Sequence, residues 1–413
     1  MFSKEKKKYF LQRLFKLLRI KSISADPKYK KDIFSAVKFL KWELRDIGFS
    51  KVEILYAKDL TKETNNPVIY AEKLGNPKAP TVLIYGHYDV QPPEPLELWK
   101  APPFEPTVRK GKIFARGATD DKGQLYTHLA ALKILSESKK LDMLNIKIII
   151  EGEEESGGKN LEKLIIENPK KFKANVCLIS DSGFLKKGQP SLEVGLRGIV
   201  YFEMEVITHE RDLHSGLFGG AVHNPLNIIS QILSKVQKKF AGITLRKDPL
   251  HCLYSSFDIH GIIGGFQGSG SKTVIPNKAS AKFSVRLVPG QKSGDMVRRV
   301  RSFVKANIPK GVKVNLKILG TGEAFVVRGN SKYLKLAKRS MKKIFGKEPI
   351  LVRSGGSIPV VSVIVRNLGV EMVLMGYGLP DDNLHAPNEK FDLDQFYKGI
   401  ECNVEFLLGL TAE

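Results

Sequence analysis

The sequence is short of cysteine and of long apolar runs, and each shortage excludes a class of protein. Its 413 residues include three cysteines, Cys177, Cys252 and Cys402, which are far apart and odd in number. A disulfide framework and a paired-cysteine zinc site are therefore excluded, and we expect a chain that works in the reducing cytoplasm. The N-terminus lacks the apolar stretch of a signal peptide, and no segment has the roughly 20 apolar residues of a membrane-spanning helix.

Acidic side chains are also scarce, since the sequence has 43 of them and 67 basic ones, which gives a formal net charge of +24. A strongly basic surface is typical of proteins that bind nucleic acid or an anionic membrane surface. Here the lysines are spread over amphipathic segments, such as 4–8 and 335–343, without interleaved aromatic residues or a recognition motif. We therefore expect no nucleic-acid partner and no membrane partner.

Short apolar segments alternate with helical patterns through the first half of the chain. Buried strands are predicted at 80–86, 145–150 and 174–180, and helices at 122–138 and 158–168. This alternation predicts an α/β fold, with a mixed central sheet that has helices on both faces.

The pattern changes in the middle of the chain and then returns. Half-exposed strands are predicted at 199–207 and 279–288, with amphipathic helices at 224–240 and 293–307, which together indicate a small α+β layer. The α/β pattern resumes with a helix near 331–345, a strand at 370–376 and a closing helix from 392. We therefore predict a catalytic domain in two parts, residues 1–195 and 319–413. An α+β domain, residues 196–318, is inserted between them.

Ionisable residues follow three of the predicted strands directly. His87 and Asp89 follow the first, Glu154 and Glu155 the second, and Asp181 the third. The carboxyl ends of the strands are where open α/β sheets bind ligands. Carboxylates gathered there repel each other unless a multivalent cation neutralises them, so the pattern predicts a metal site.

A glycine-flanked loop ahead of the predicted helix 122–138 adds Asp120 to this set. Histidines and carboxylates without thiolates suit zinc, cobalt or manganese, and the sequence does not choose between them. If one ring nitrogen of His87 binds a metal, Asp89 can accept the proton of the other and fix the ring. The alternative is that His87 is a strand-end histidine that caps a turn.

Longer strings in the sequence resemble the M20 metallopeptidases and, within that family, the cytosolic nonspecific dipeptidase and carnosinase branch. They occur in order between residues 80 and 390, and several long motifs in register are more specific than one short motif. The strings are Gly86-His-Tyr-Asp-Val-Gln-Pro, Arg116-Gly-Ala-Thr-Asp-Asp-Lys-Gly, Glu151-Gly-Glu-Glu-Glu-Ser-Gly, Asp212-Leu-His-Ser-Gly, Lys272-Thr-Val-Ile-Pro, Ser284-Val-Arg-Leu-Val-Pro, Gly355-Gly-Ser-Ile-Pro and Leu384-His-Ala-Pro-Asn-Glu.

The resemblance implies a zinc-exopeptidase-like fold and a ligand set for two divalent ions per subunit, with Zn²⁺ favoured over Mn²⁺ and Co²⁺. Asp120 would bridge the two ions. His87 and Asp181 would complete one site, and Glu155 and His385 the other. The implied activity is hydrolysis of the peptide bond in dipeptides or short peptides.

The resemblance also implies that Glu154 is the general base for a water molecule that bridges the metals. Because three glutamates follow Gly152, the register of base and ligand is ambiguous by one residue. Ser156-Gly157, which in the family follows the metal-binding glutamate, fixes that register. The bond from Asp120 to Asp121 is expected to be cis, as in the family.

Further implied residues lie in the inserted domain, which would serve as lid and dimerisation domain of a homodimer. His214 would reach the partner's active site and stabilise the developing oxyanion, and Arg286 would hold the substrate carboxylate. The remaining substrate-binding residues would be Thr273 from the partner chain, Gly356, Ser357 and His385. The alternative for His214 is that it is a loop histidine that caps a helix. The alternative for Arg286 is that it forms a surface salt bridge.

Two other functions compete with dipeptide hydrolysis. The same metal core could hydrolyse N-acyl amino acids, as a desuccinylase or deacetylase of the family would, although the pocket motifs favour a dipeptidase. A basic binding module on an inactive scaffold is the non-enzymatic alternative. The presence of all five ligands together with Glu154 argues against it.

Overall fold

The structure is a computed structural model of the chain and describes residues 2–60, 65–240, 254–327, 329–354 and 359–411. Within them the α-helices are α1 (Lys4–Leu18), α2 (Lys30–Ile47), α3 (Lys122–Glu137), α4 (Lys159–Glu167), α5 (Pro169–Phe172), α6 (Ser215–Phe218), α7 (Pro225–Phe240), α8 (Ser293–Ala306), α9 (Lys332–Phe345), α10 (Pro359–Leu368) and α11 (Leu393–Gly409). The strands are β1 (Lys51–Leu55), β2 (Val68–Leu74), β3 (Thr81–His87), β4 (Thr107–Arg109), β5 (Lys112–Phe114), β6 (Asn145–Glu151), β7 (Val176–Ile179), β8 (Ser191–Leu196), β9 (Gly198–Ile207), β10 (Leu213–His214), β11 (Ser256–Gly264), β12 (Val274–Ile275), β13 (Lys278–Leu287), β14 (Lys313–Gly322), β15 (Phe325–Val326), β16 (Ile350–Ser354), β17 (Glu371–Leu374) and β18 (Lys390–Asp392).

The chain divides into two compact units, and the first of them is discontinuous in sequence. The first unit comprises Met1–Val194, Val327–Val352 and Val363–Glu413, and the second comprises Gly195–Val326 and Arg353–Ser362. Among the described residues, no helix is both long and apolar enough to cross a bilayer.

A mixed sheet forms the centre of the first unit, where its strands run in the order β1-β2-β6-β3-β7-β17-β8. The pairs β3–β6, β3–β7 and β7–β17 are parallel, whereas β1–β2, β2–β6 and β8–β17 are antiparallel. The predicted α/β class with a mixed central sheet and helices is confirmed.

The three central strands of this sheet bring their carboxyl ends to one edge. β3, β6 and β7 are almost wholly buried and apolar, as expected for parallel strands covered on both faces. In the ladder His87 lies beside Glu151, and Tyr85 lies beside both Ile149 and Ile179. Segments that are far apart in sequence therefore place their strand-end side chains next to each other.

The second unit contains an antiparallel sheet in the order β11-β13-β9-β14, against which α7 and α8 pack. Alternate residues of β9 and β13, among them Phe202, Met204, Phe283 and Val285, point into one apolar core with the helices. Arg286, between two core residues of β13, belongs to the other face of the sheet. This alternation is the period of a half-exposed strand.

Candidate metal centre

Three side chains from three different segments of the first unit form one candidate ligand group. His87 ends β3, Asp181 follows β7 by two residues, and Asp120 lies in the loop before α3. Nε2 of His87 is 3.2 Å from Oδ1 of Asp120 and 3.9 Å from Oδ2 of Asp181. One potential ligand atom of each residue lies within 4.8 Å of those of the other two, which is close enough to share one ion.

A second group shares Asp120 and adds Glu155 and His385. Nε2 of His385 is 2.9 Å from Oδ2 of Asp120 and 3.4 Å from Oε2 of Glu155. The two oxygens of the Asp120 carboxylate thus face different imidazoles. This is the arrangement that a bridging carboxylate between two ions requires.

Asp89 contacts one residue of each ligand group. Its Oδ1 is 3.3 Å from Nδ1 of His87, and its Oδ2 accepts the backbone N–H of Glu155 at 3.1 Å. The side chains of His87 and Asp89 are fully buried. Nδ1 of His87 also lies 3.1 Å from the backbone carbonyl oxygen of Asp89, so Asp89 engages this nitrogen and leaves Nε2 to face Asp120 and Asp181.

The charges of the centre are strongly perturbed. Burial, with the neighbouring Asp120 carboxylate, raises the pKa of Asp181 to about 7. Hydrogen bonds to Asp120 and Glu155 raise the pKa of His385 to about 10. Burial alone would raise the pKa of Asp120, but the hydrogen bond with His385 and the positive charges of His385 and His87 together outweigh burial and lower that pKa. The carboxylates therefore need positive charge nearby, and the two imidazoles supply part of it.

These residues fit a pair of divalent cations. Nε2 of His87 is buried and makes no hydrogen bond of acceptable geometry with the described residues. It points into a set of three carboxylates and a second imidazole, a donor set without thiolate that suits zinc, manganese or cobalt. The His385 side chain is 55% exposed, so one side of the centre is open.

Three consecutive glutamates after β6 have different surroundings. Glu153 is buried, and its carboxylate accepts the backbone N–H groups of Asn66 and Asn160. Glu155 belongs to the second ligand group. Glu154 lies between these two residues in sequence. Burial raises the pKa of its carboxyl well above its usual range, and the charges of Asp181 and Glu155 raise it further.

Sequence reasoning missed two side chains that contact the centre. Nε2 of Gln91 donates to Oε2 of Glu155 at 2.7 Å, and Glu389 accepts the backbone N–H of Asp120 at 3.1 Å. Both lie inside the strings that carry the family resemblance, which is the signal that could have singled them out. The Asp120–Asp121 bond is cis, as expected.

The other predicted residues belong to the second unit or lie outside the described residues. His214 and Thr273 are neighbours in the second unit, where His214 pairs with Val274 and Ser215 donates its N–H to the Thr273 carbonyl. Nδ1 of His214 accepts the N–H of Gly216, so its ring caps the short helix α6. Arg286 also belongs to the second unit, whereas Gly356 and Ser357 lie outside the described residues.

Comparison with known proteins gives a consistent result. Residues 83–409 match the family described as Peptidase family M20/M25/M40. The Cys-Gly metallodipeptidase dug1 of Schizosaccharomyces pombe is 32% identical, over 99% of this chain and 97% of that protein. The human Beta-Ala-His dipeptidase is 29% identical, over 97% of this chain and 90% of that protein. The structure of the dipeptidase Dug1p from Saccharomyces cerevisiae superposes with a TM-score of 0.86 at 28% identity, over 98% of this chain and 96% of that one.

Proposed function

The chain belongs to peptidase family M20/M25/M40, and on that premise we propose that it is a metal-dependent dipeptidase with two divalent ions per subunit. The predicted resemblance to the dipeptidase and carnosinase branch is confirmed, because the relatives are a Cys-Gly and a Beta-Ala-His dipeptidase. The observation that supports the proposal is the pair of ligand groups that share Asp120.

The first ion would be held by His87, Asp120 and Asp181, and the second by Asp120, Glu155 and His385. We propose Zn²⁺ as the resident ion, while Mn²⁺ and Co²⁺ suit the same donors. When bound, the pair would polarise the scissile carbonyl and lower the pKa of a water molecule. The chain's own contribution is to hold five ligands and to orient His87 through Asp89.

Glu154 serves as the general base in this proposal. It directly precedes the ligand Glu155 and follows β6 by three residues, so it lies at the carboxyl edge of the sheet that carries the ligand groups. It takes the proton from the attacking water and passes it to the leaving amine. Glu153 does not compete for this role, because its carboxylate is engaged by two backbone N–H groups.

Substrate binding would use the second unit and a homodimer. The guanidinium of Arg286 would hold the free carboxylate of a dipeptide bidentately. His214 would act in the partner's active site, where its imidazole stabilises the negative charge that develops on the carbonyl oxygen. The other substrate-binding residues would be Thr273 from the partner, Gly356, Ser357 and His385.

The proposal favours dipeptides over N-acyl amino acids, because the relatives described above are dipeptidases. It also places the enzyme in the cytoplasm, since Cys177 and Cys402 are buried with free thiols, as a reducing compartment keeps them.

The test combines metal analysis with a substrate panel. The purified chain is stripped with a chelator, reloaded with Zn²⁺, Mn²⁺ or Co²⁺, and assayed on Cys-Gly, β-Ala-His and other dipeptides beside N-acetyl and N-succinyl amino acids. We expect two ions per chain and hydrolysis of dipeptides alone. Asp181→Asn should lower the metal content, whereas Asp142→Asn, at an exposed aspartate paired with Lys73, should not. A reloaded chain that binds no ion, or that cleaves N-acyl substrates faster than dipeptides, overturns the proposal.

A further inference from the structure

Glu389 is a fully buried carboxylate with four hydrogen-bond donors around it. Its Oε1 accepts the backbone N–H groups of Thr119 at 2.9 Å and Asp120 at 3.1 Å. Its Oε2 accepts Nη1 of Arg116 at 2.8 Å and the backbone N–H of Gly117 at 2.9 Å. Hydrogen bonds to an ionised acceptor are roughly twice as strong as neutral ones, so this carboxylate is a firm anchor for the loop 116–120.

Glu389 connects the loop 116–120 with the segment that carries His385. It follows the ligand His385 by four residues, and its donors belong to the loop that carries the ligand Asp120. The two segments meet again through their backbones, because Ala115 donates its N–H to the Glu389 carbonyl and β18 pairs with β5. Glu389 therefore joins the two loops that supply Asp120 and His385, two of the three members of the second ligand group.

The loop around His385 depends on such contacts. Asn383, His385 and Asn388 all have φ between +55° and +62°, so no regular helix or strand holds the imidazole in place. Side chains hold the loop instead. Thr119 donates its hydroxyl to the Lys390 carbonyl at 2.7 Å, and Asn388 accepts the backbone N–H of Lys100 at 2.9 Å.

We propose that Glu389 is a positioning residue that sets the placement of Asp120 relative to His385, and with it the affinity of the second ligand group for its ion. The inference rests on the proposed two-metal function. A glutamine in this place has one acceptor oxygen, and its NH₂ group would face the donors of Gly117 and Arg116. The loop would shift away from that clash and carry Asp120 with it.

The experiment compares Glu389→Gln with a matched control, Glu43→Gln. Glu43 is also a buried carboxylate of the first unit, and it accepts hydrogen bonds from Arg13 and Tyr126. Both variants and the parent chain are stripped of metal and titrated with Co²⁺. Affinity and stoichiometry are followed by visible absorption and elemental analysis, and Tm is measured without metal.

We expect Glu389→Gln to weaken Co²⁺ binding by about 10- to 100-fold and to change the visible spectrum of the loaded protein. The loss should be larger at the second ligand group, because Asp120 belongs to both groups whereas His385 belongs to the second alone. Glu43→Gln should lower Tm while its affinity and spectrum stay those of the parent. If Glu389→Gln lowers Tm but binds both ions as the parent does, the residue is merely structural and the inference is wrong. A parent chain that binds no Co²⁺ would instead refute the proposed function, so the two failures are distinct.

A milder variant decides the question if Glu389→Gln does not fold. Glu389→Asp keeps the negative charge and both acceptor oxygens, but its side chain is shorter by one methylene and cannot reach all four donors of residues 116–120 in the present geometry. We expect a several-fold loss of Co²⁺ affinity that is again larger at the second ligand group. Unchanged affinity for both ions in this variant overturns the inference.

Discussion

At the scale of single residues, the run from Glu153 to Glu155 assigns three identical side chains to three tasks. Glu153 holds backbone N–H groups, Glu155 belongs to a ligand group, and Glu154 lies among the charges of both groups. Their surroundings, and not their chemistry, separate them. The same amide substitution should therefore have a different effect at each position.

We predict that Glu154→Gln lowers kcat by about 100- to 10,000-fold while the metal content stays at the parent's value. Glu155→Gln should lose one ion, because it removes a ligand charge. Glu153→Gln should lower Tm and leave metal content and catalysis near those of the parent. Elemental analysis, Tm and steady-state kinetics on the three variants measure this. If Glu153→Gln is the inactive variant with full metal content, the assignment is shifted by one residue.

Sequence reasoning proposed ligands for the centre but not all of the side chains that support them. His87, Asp89, Asp120, Glu155 and Asp181 were recognisable because each follows a strand or a glycine-flanked turn. Gln91 and Glu389 were not, because their partners lie 64 and 269 residues away in sequence, in Glu155 and Asp120. Neither the bond from the side-chain amide of Gln91 nor the bond from the backbone N–H of Asp120 leaves a trace in local composition, so only the place of these residues inside the family strings could have pointed to them.

At the scale of elements, α3 is unusual because nearly all of its residues from Lys122 to Leu132 are buried. It packs against β3, α1, α2 and α11, which leaves it no solvent-exposed stripe over that stretch. His128 lies inside it, 1% exposed, and neither ring nitrogen has a hydrogen-bond partner among the described residues. Its imidazole must therefore stay neutral in the folded chain.

This burial predicts a loss of stability in acid. It lowers the pKa of His128 from 6.5 to about 3, whereas in the unfolded chain the imidazole takes up a proton near pH 6.5. The unfolded state thus binds more protons between these values, and the contribution of His128 to stability is complete above pH 6.5 and falls as the pH is lowered toward 3. At pH 5 we expect the loss to be about 2 kcal/mol relative to pH 8.

Urea unfolding of the metal-free chain at both pH values measures this effect. The free energy of unfolding of the parent falls between pH 8 and pH 5. In His128→Leu we expect this fall to be smaller by about 2 kcal/mol. Every other titration is shared by the two proteins and cancels in the difference. His223→Gln, at an exposed loop position, is the control and should behave as the parent does. An equal fall in His128→Leu and the parent contradicts the prediction.

The elements themselves were largely readable from hydrophobic periodicity. The strand predicted at 145–150 is Asn145–Glu151, and the helix predicted at 122–138 is Lys122–Glu137. The strand predicted at 370–376 is shorter, Glu371–Leu374, and after it Met375 and Gly378 donate their N–H groups to the carbonyls of Ile179 and Ser182. Strand order was not readable, since β17 joins β7 across almost 200 residues of intervening chain.

At the scale of the whole molecule, the proposed homodimer makes each active site depend on two chains. If His214 acts in the partner's site, His214→Ala should lower kcat by about 100-fold or more while the dimer persists. Kinetics together with sedimentation measure both properties.

A mixing experiment shows whether the histidine acts across subunits. Heterodimers of Glu154→Gln and His214→Ala chains contain one site in which both residues are intact. Random mixing of the two inactive proteins should therefore restore about a quarter of wild-type activity. If His214 acts within its own chain, every site in the mixture carries one defect and no activity returns, which would exclude the cross-subunit role.

The first unit is divided in sequence by the second unit. Four of the five proposed ligands precede residue 182, whereas His385, Glu389, β17 and α11 come only after the whole of the second unit. The His87, Asp120 and Asp181 group is thus complete in the sequence before the second unit begins, whereas the other group is not. A chain truncated within the second unit would lack His385 and Glu389 and leave the sheet without β17, so we expect it to hydrolyse no peptide.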